Sequence, residues 1–289
     1  SIKAANDIFE YFVNIDELQA LASKRISKLL KTEAAVITAS AAGGLTESVA
    51  SMMTGKDLKK VFKLPDTSNM VNKVLIQRGH LTNYGAEVEQ GIKLSGAKIL
   101  KCGLKKFCTK ENVEKTISQN RKQIACAMYV VSHHCSDYGS LELNSFIKIC
   151  KKNKIPVIVD AASEEYMEDF FKIGADVAIF SAHKFMGSLT AGIIAGKKKF
   201  IKNVYLQNLG IGRGMKVGKE SIYSAIIGVE NWYNRNWHLE INNQNNILKY
   251  WLKFLSKERF KGISFEIVPD PTGNKINRLR IYVDSKKSQ

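Results

Sequence analysis

Short apolar runs, each too brief for a helix and each closed by small or polar residues, recur along this chain with helical patterns between them. Strands are read over residues 34–37, 74–77, 97–101, 125–132, 156–160, 176–181 and 189–195. Helices are read over 16–31, where Asp16 caps and Leu18, Leu21, Ile26, Leu29 and Leu30 form one face, over 45–54 up to Gly55, and over 111–119 and 141–152. Strands alternating with helices imply an α/β fold with a mostly parallel sheet covered on both faces. After Gly218 one long helix is expected to about Lys257, then strands over 263–268 and 279–283 in a small C-terminal α/β domain. The expected division is 1–235 for the large domain and 236–289 for the small one. The chain opens on Ser1, and both ends read as shortened.

Ligands of an open α/β sheet gather at the carboxyl ends of its strands. The run Val157-Ile158-Val159 ends in Asp160, and Val177-Ala178-Ile179-Phe180 ends in Ser181-Ala182-His183-Lys184. Alone, Asp160 is a helix cap and Lys184 a solvated cation. Together they are an acid and an amine, the pair that pyridoxal 5′-phosphate (PLP) needs: a lysine for the Schiff base and a carboxylate against the pyridine nitrogen. Partial burial and nearby cations would keep such a lysine nucleophilic. The small residues Ser40-Ala41-Ala42-Gly43-Gly44 enter a helix, where backbone amides can meet a phosphate. Neither GxGxxG nor a phosphate-loop GK[ST] pattern is present, so no dinucleotide or nucleoside triphosphate is implied.

These features, in this order, resemble fold-type I PLP enzymes, the aspartate aminotransferase superfamily. Asp160-Ala161-Ala162-Ser163-Glu164-Glu165, Gly174-Ala175-Asp176, Phe180-Ser181-Ala182-His183-Lys184 and Gly210-Ile211-Gly212-Arg213-Gly214-Met215-Lys216-Val217-Gly218-Lys219-Glu220 resemble one branch. It holds bacterial selenocysteine synthases and D-glucosaminate-6-phosphate ammonia-lyases, and the last stretch favours the lyase members. The resemblance implies a three-layer αβα sandwich around a mainly parallel seven-stranded sheet, and a homodimer or larger assembly. It implies that Lys184 carries PLP, that Asp160 pairs with the pyridine nitrogen, and that Ser181, with the backbone of Ala42, Gly43 and Gly44, holds the phosphate. His183 joins the cofactor-binding set. His80 would stack on the ring as a catalytic group, and Ser132 would reach the 3′ oxygen. Arg213, Lys216, Lys219 and His133 would bind substrate, with Arg278 or Arg280 as candidates for its carboxylate. The implied reaction is loss of water and ammonia from an amino sugar acid phosphate, with transfer on seryl-tRNA as the alternative.

The net charge of +17 admits a polyanion such as tRNA, but the lysines are interleaved with acids rather than gathered in one arm, which disfavours nucleic acid. Five cysteines lie far apart with no CxxC pair, which argues against a disulfide framework and structural zinc. Cys135 beside His133 and His134 is read as an ordinary cysteine, and adjacent histidines without a third ligand do not make a metal site. No apolar run is long enough to span a bilayer and no secretory signal opens the chain, so a cytoplasmic protein with a small-molecule partner is expected.

Overall fold

The runs read as strands form a seven-stranded sheet in a computed structural model, which describes residues 2–136, 139–257 and 260–284. The strands are β1 (Ala34–Thr38), β2 (Lys73–Gln77), β3 (Lys98–Cys102), β4 (Ile124–Val130), β5 (Val157–Asp160), β6 (Val177–Ser181) and β7 (Gly192–Gly196). Their order is β1-β7-β6-β5-β4-β2-β3. Only β7 runs against its neighbours, so the carboxyl ends of β1 to β6 share one edge. Register aligns Thr38, Gly192 and Ser181 across β1, β7 and β6. A Cβ on Gly192 would lie 2.4 Å from the Ser40 carbonyl oxygen, so a larger residue would push the strand off the loop after β1.

Every residue of β1, β5, β6 and β7 is buried, which is why these strands read as unbroken apolar runs. On one face Val36, Ile76, Met128, Ile158, Ile179 and Ile194 pack with Leu45, Val49 and Met53 of a helix, and with Ile201 and Val204 of another. On the other face Phe180 meets Phe170 and Phe171, their ring centroids 6.0 and 6.4 Å away. The expected three layers follow from this alternation.

Three helices precede or follow β1: α1 (Ile2–Phe9), α2 (Ile15–Leu30) and α3 (Ala41–Thr54). Asn14, not Asp16, caps α2: its side chain accepts the amides of Asp16 and Glu17. Asp16 lies one place inside and instead accepts the Tyr205 hydroxyl. Asn14 has the extended backbone of an N-cap (φ −70°, ψ 116°), and Asp16 is already helical. The helix Lys198–Leu206 escapes sequence reading because lysines oppose the dipole at its start. Glu33 compensates, accepting the Lys198 amide at 2.8 Å.

The chain divides into two compact units, Ser1–Tyr233 and Asn234–Gln289. The long helix expected after Gly218 is two, Lys219–Tyr233 and Trp237–Leu255, because Asn236 caps the second through the Leu239 amide. The smaller unit adds the antiparallel pair β8 (Ile263–Val268) and β9 (Arg278–Val283). Arg278 pairs with buried Asp270, and Arg280 lies 3.6 Å from Glu266. Both cations expected at a substrate carboxylate are thus engaged within their own unit.

Candidate active site

The carboxyl edge of the sheet gathers most of the residues singled out from sequence. Asp160 ends β5, buried, and burial pushes its carboxyl up to about 6. The Ala162 amide and the Lys184 charge pull the other way. Lys184 follows β6, and its Nζ donates to Ser163 Oγ at 2.6 Å. The lysine is exposed, so the expected partial burial is not met: the turn after β6 carries His183 and Lys184 outward while Ser181 stays buried. Ser181 Oγ lies 3.1 Å from His183 Nδ1.

The small residues after β1 are not a loop. Ser40 caps α3, its Oγ accepting the Gly43 amide at 3.0 Å while its carbonyl accepts that of Gly44 at 2.9 Å. Gly43 and Gly44 therefore have no amide to offer an anion, contrary to the phosphate role expected of them. Ala42, exposed in the first turn, lies ahead of any intrahelical acceptor and keeps that capacity. Met215 packs over this turn: a Cβ on Gly43 would meet its sulfur at 3.5 Å. The turn Ile211–Met215 is thereby brought beside the start of α3, with Arg213 and Lys216 exposed. Lys219 is drawn elsewhere. Its ammonium donates to the carbonyls of Phe9 and Tyr11, at 3.2 and 2.6 Å, and so holds the end of α1.

His80 closes a short turn after β2 and is buried. Its Nδ1 accepts the Val130 amide at 3.2 Å, and its ring stands edge-on to Tyr129 at 4.3 Å. Burial pushes it down to about 4, so it is neutral at pH 7. Ser132 Oγ accepts the His134 amide at 3.2 Å. The rings of His133 and His134 lie 4.2 Å apart, and that of His134 lies 5.5 Å from Tyr84. Cys135 is buried and pushed up to about 12, first by burial and then by Asp160, an unreactive thiol.

Two side chains come to the site that sequence reasoning did not single out. Ser163 holds the lysine; its only signal was its place in the quoted motif. Tyr84, its ring half exposed, has its hydroxyl pushed up to about 12 by burial, with Thr82, Asp160 and Ser132 as neighbours. Its signal was an aromatic residue shortly after His80.

Residues 74–225 match the family described as aminotransferase class-V. The chain belongs to that family. It is 32% identical over 278 residues to D-glucosaminate-6-phosphate ammonia lyase of Salmonella typhimurium, covering 96% of this chain and 72% of the relative. It is 28% identical over 286 residues to 5′-C-glycyluridine monooxygenase-decarboxylase of a Streptomyces species, covering 98% and 70%. A solved structure of D-glucosaminate-6-phosphate ammonia-lyase superposes with a TM-score of 0.84 at 31% identity, covering 99% of this chain and 75% of that one. The class-V aminotransferase chain is thus an enzyme of fold type I, and PLP is the cofactor of this class.

The residues present fit that cofactor. Asp160 is a buried carboxyl held above the usual carboxylate range, and a cation seated against it would relieve that. Lys184 supplies an amine beside it, and the Ala42 turn supplies a helix start for a phosphate. No group of three His, Cys, Asp or Glu side chains suited to a metal ion occurs among the described residues.

Proposed function

We propose that this chain is a PLP-dependent ammonia-lyase that eliminates water from a phosphorylated amino sugar acid and then takes up water to release ammonia, leaving a 2-keto acid. The observation that carries this reading is the pairing of Asp160 with Lys184 at the ends of adjacent strands, in a chain so similar to D-glucosaminate-6-phosphate ammonia lyase. Bound there, the cofactor would draw electron density from the carbon that bears the substrate amine.

The chain's own residues do the rest. Lys184 Nζ takes the proton from that carbon and returns one to the departing hydroxyl. Ser163 holds Nζ in reach. Asp160 stays ionised once a ring-nitrogen cation faces it. His80, neutral and fixed by Val130 and Tyr129, would lie against the cofactor ring, and Ser132 would hold its 3′ oxygen. Ser181, His183 and the Ala42 amide hold the cofactor phosphate. Arg213, Lys216 and His133 hold the far end of the substrate, where a phosphate supplies binding energy that orients the reacting carbon. The cofactor belongs to the large domain, residues 1–235, and a second copy completes the assembly. A cytoplasmic location suits a phosphorylated metabolite.

The test is mass spectrometry of keto acids released from a panel of amino acids, amino sugar acids and their phosphates. The expected product is a 2-keto-3-deoxy sugar acid phosphate. Retention of tRNA on a filter with no keto acid released would replace this reading with the transferase one.

A further inference from the structure

The five cysteines are far apart in sequence, yet the sulfurs of Cys102 and Cys108 lie 4.0 Å apart, both residues buried. The backbone sets up this meeting. Cys102 ends β3, the last strand of the sheet, and Gly103 turns the chain with φ 69°. Leu104 and Phe107 close a tight hairpin, the Leu104 amide donating to the Phe107 carbonyl at 2.7 Å, and the chain returns at Cys108. The far side is pinned too: the Cys108 amide donates to Gly139 at 2.8 Å, and the Gly139 amide to Lys106 at 2.9 Å. A Cβ at position 103 would lie 2.7 Å from the Cys108 sulfur, so only glycine there lets the two sulfurs approach.

We propose that Cys102 and Cys108 form a reversible oxidation site, which hydrogen peroxide converts to a disulfide and a small thiol restores. The sulfurs need to close to about 2 Å, a movement that side-chain rotation and one short hairpin can absorb. The hairpin is the exposed part of this region, with Leu104 66% and Phe107 55% exposed, so a local opening admits a small oxidant. Cys108 stands at the return of the exposed hairpin and so meets an entering oxidant first, and the hydrogen bond it shares with Cys102 favours its thiolate, which makes Cys108 the attacking sulfur. Its thiolate attacks the peroxide O–O bond, giving a sulfenic acid and, with one proton, water. The Cys102 sulfur then attacks that sulfur: the S–S bond forms, the S–O bond breaks, and the hydroxyl leaves as a second water with the Cys102 proton. Two thiols are oxidised and one peroxide is reduced. Two equivalents of a small thiol reverse the change by exchange. Cys126 and Cys150 are also buried and each pushed up to about 12 by burial; Cys150 is an electrostatic neighbour of Cys102 and Cys126, but among the described residues neither shares a sulfur–sulfur hydrogen bond, and the two serve as internal controls.

The experiment treats the native, full-length protein with hydrogen peroxide, then denatures it in an alkylating reagent and maps its peptides by mass. Trypsin can cut between the two at Lys105 and Lys106, so a disulfide joins two peptides and shows the loss of two hydrogens. That species is expected after peroxide and is expected to vanish after dithiothreitol, with Cys126 and Cys150 alkylated throughout. In Cys102→Ser, Cys108 is expected to accumulate as a sulfenic acid trapped by dimedone. Full alkylation of Cys102 and Cys108 in the peroxide-treated wild type would overturn the proposal, as would over-oxidation of Cys108 with no linked peptide. The wild-type map decides even where the serine variant folds poorly.

Discussion

The strand ends at Asp160 and Lys184 and the stretch from Gly210 to Glu220 both combine small residues with charged ones, and the fold treats them in opposite ways. At the strand ends the sheet sets direction: β5 and β6 are parallel neighbours, so the groups that follow them emerge side by side. In the later stretch the packed residues go to separate partners. Gly212 lies against the Gln207 carbonyl and the Glu47 carboxyl, Met215 covers Gly43, and Lys219 holds α1. A sheet edge converts adjacency in the fold into one chemical site, whereas an irregular stretch distributes its residues among the elements it crosses.

This contrast breaks first at Lys184. Replacing it with Ala should lower turnover by on the order of 10²–10⁴-fold through lost proton transfer alone. In the wild type, borohydride with PLP should fix the cofactor on the peptide containing Lys184. A label on another lysine would remove that residue from the site.

Asp160→Asn comes next. The amide keeps the shape but cannot answer a ring cation with charge, at a cost of about 2–4 kcal/mol in the rate. The fold should survive, since the buried carboxyl is already held above its ordinary range. Near wild-type turnover with PLP bound would show that Asp160 is not the pyridine partner.

The same contrast explains what was legible beforehand. The strand ends could be read because a buried parallel strand shows in sequence as an apolar run, and its last residue marks the site edge. Asp160, Ser181 and Lys184 follow from that rule. That the amides of Gly43 and Gly44 are satisfied does not show in the sequence, because a run of small residues does not reveal that Ser40 caps the helix. Lys219 is near Arg213 in sequence, and nothing in that spacing shows that α1 ends beside it. The Cys102–Cys108 contact depends on the left-handed turn at Gly103, which composition does not display.

Arg213 is the exposed cation of the later stretch best suited to a phosphate. Removing one charge-assisted contact to a phosphate costs about 1.5–3 kcal/mol. Arg213→Ala should therefore raise KM for a phosphorylated amino sugar acid on the order of tenfold or more and leave the unphosphorylated compound nearly unchanged. Equal losses on both would make this stretch structural or cofactor-binding.

Glu47 tests the structural side of the same stretch. Burial pushes its carboxyl from the ordinary 4.5 to about 8, with the Thr38 hydroxyl pulling the other way. The folded protein thus keeps a proton that the unfolded chain releases as pH rises. Stability from this group is fully present below the ordinary value and is lost as pH climbs towards about 8, at about 1.4 kcal/mol per pH unit. Urea midpoints from pH 5 to 8 should fall in the wild type and fall less steeply in Glu47→Gln. Parallel slopes would mean that Glu47 ionises in the fold.

Lys219 carries the smallest expected effect and divides the two uses most directly. Its ammonium donates to two carbonyls, one on the last residue of α1 and one just past it, a place where a cation also meets the negative end of the helix dipole. Such solvent-accessible contacts contribute about 1 kcal/mol. Lys219→Met keeps the aliphatic stem and removes the donors, so α1 should fray: amide exchange should rise over Ile2–Phe9 while KM for a phosphorylated substrate stays put. If KM instead rises as it does in Arg213→Ala, with exchange in α1 unchanged, then Lys219 leaves those carbonyls to bind substrate, and the later stretch behaves like the strand ends after all.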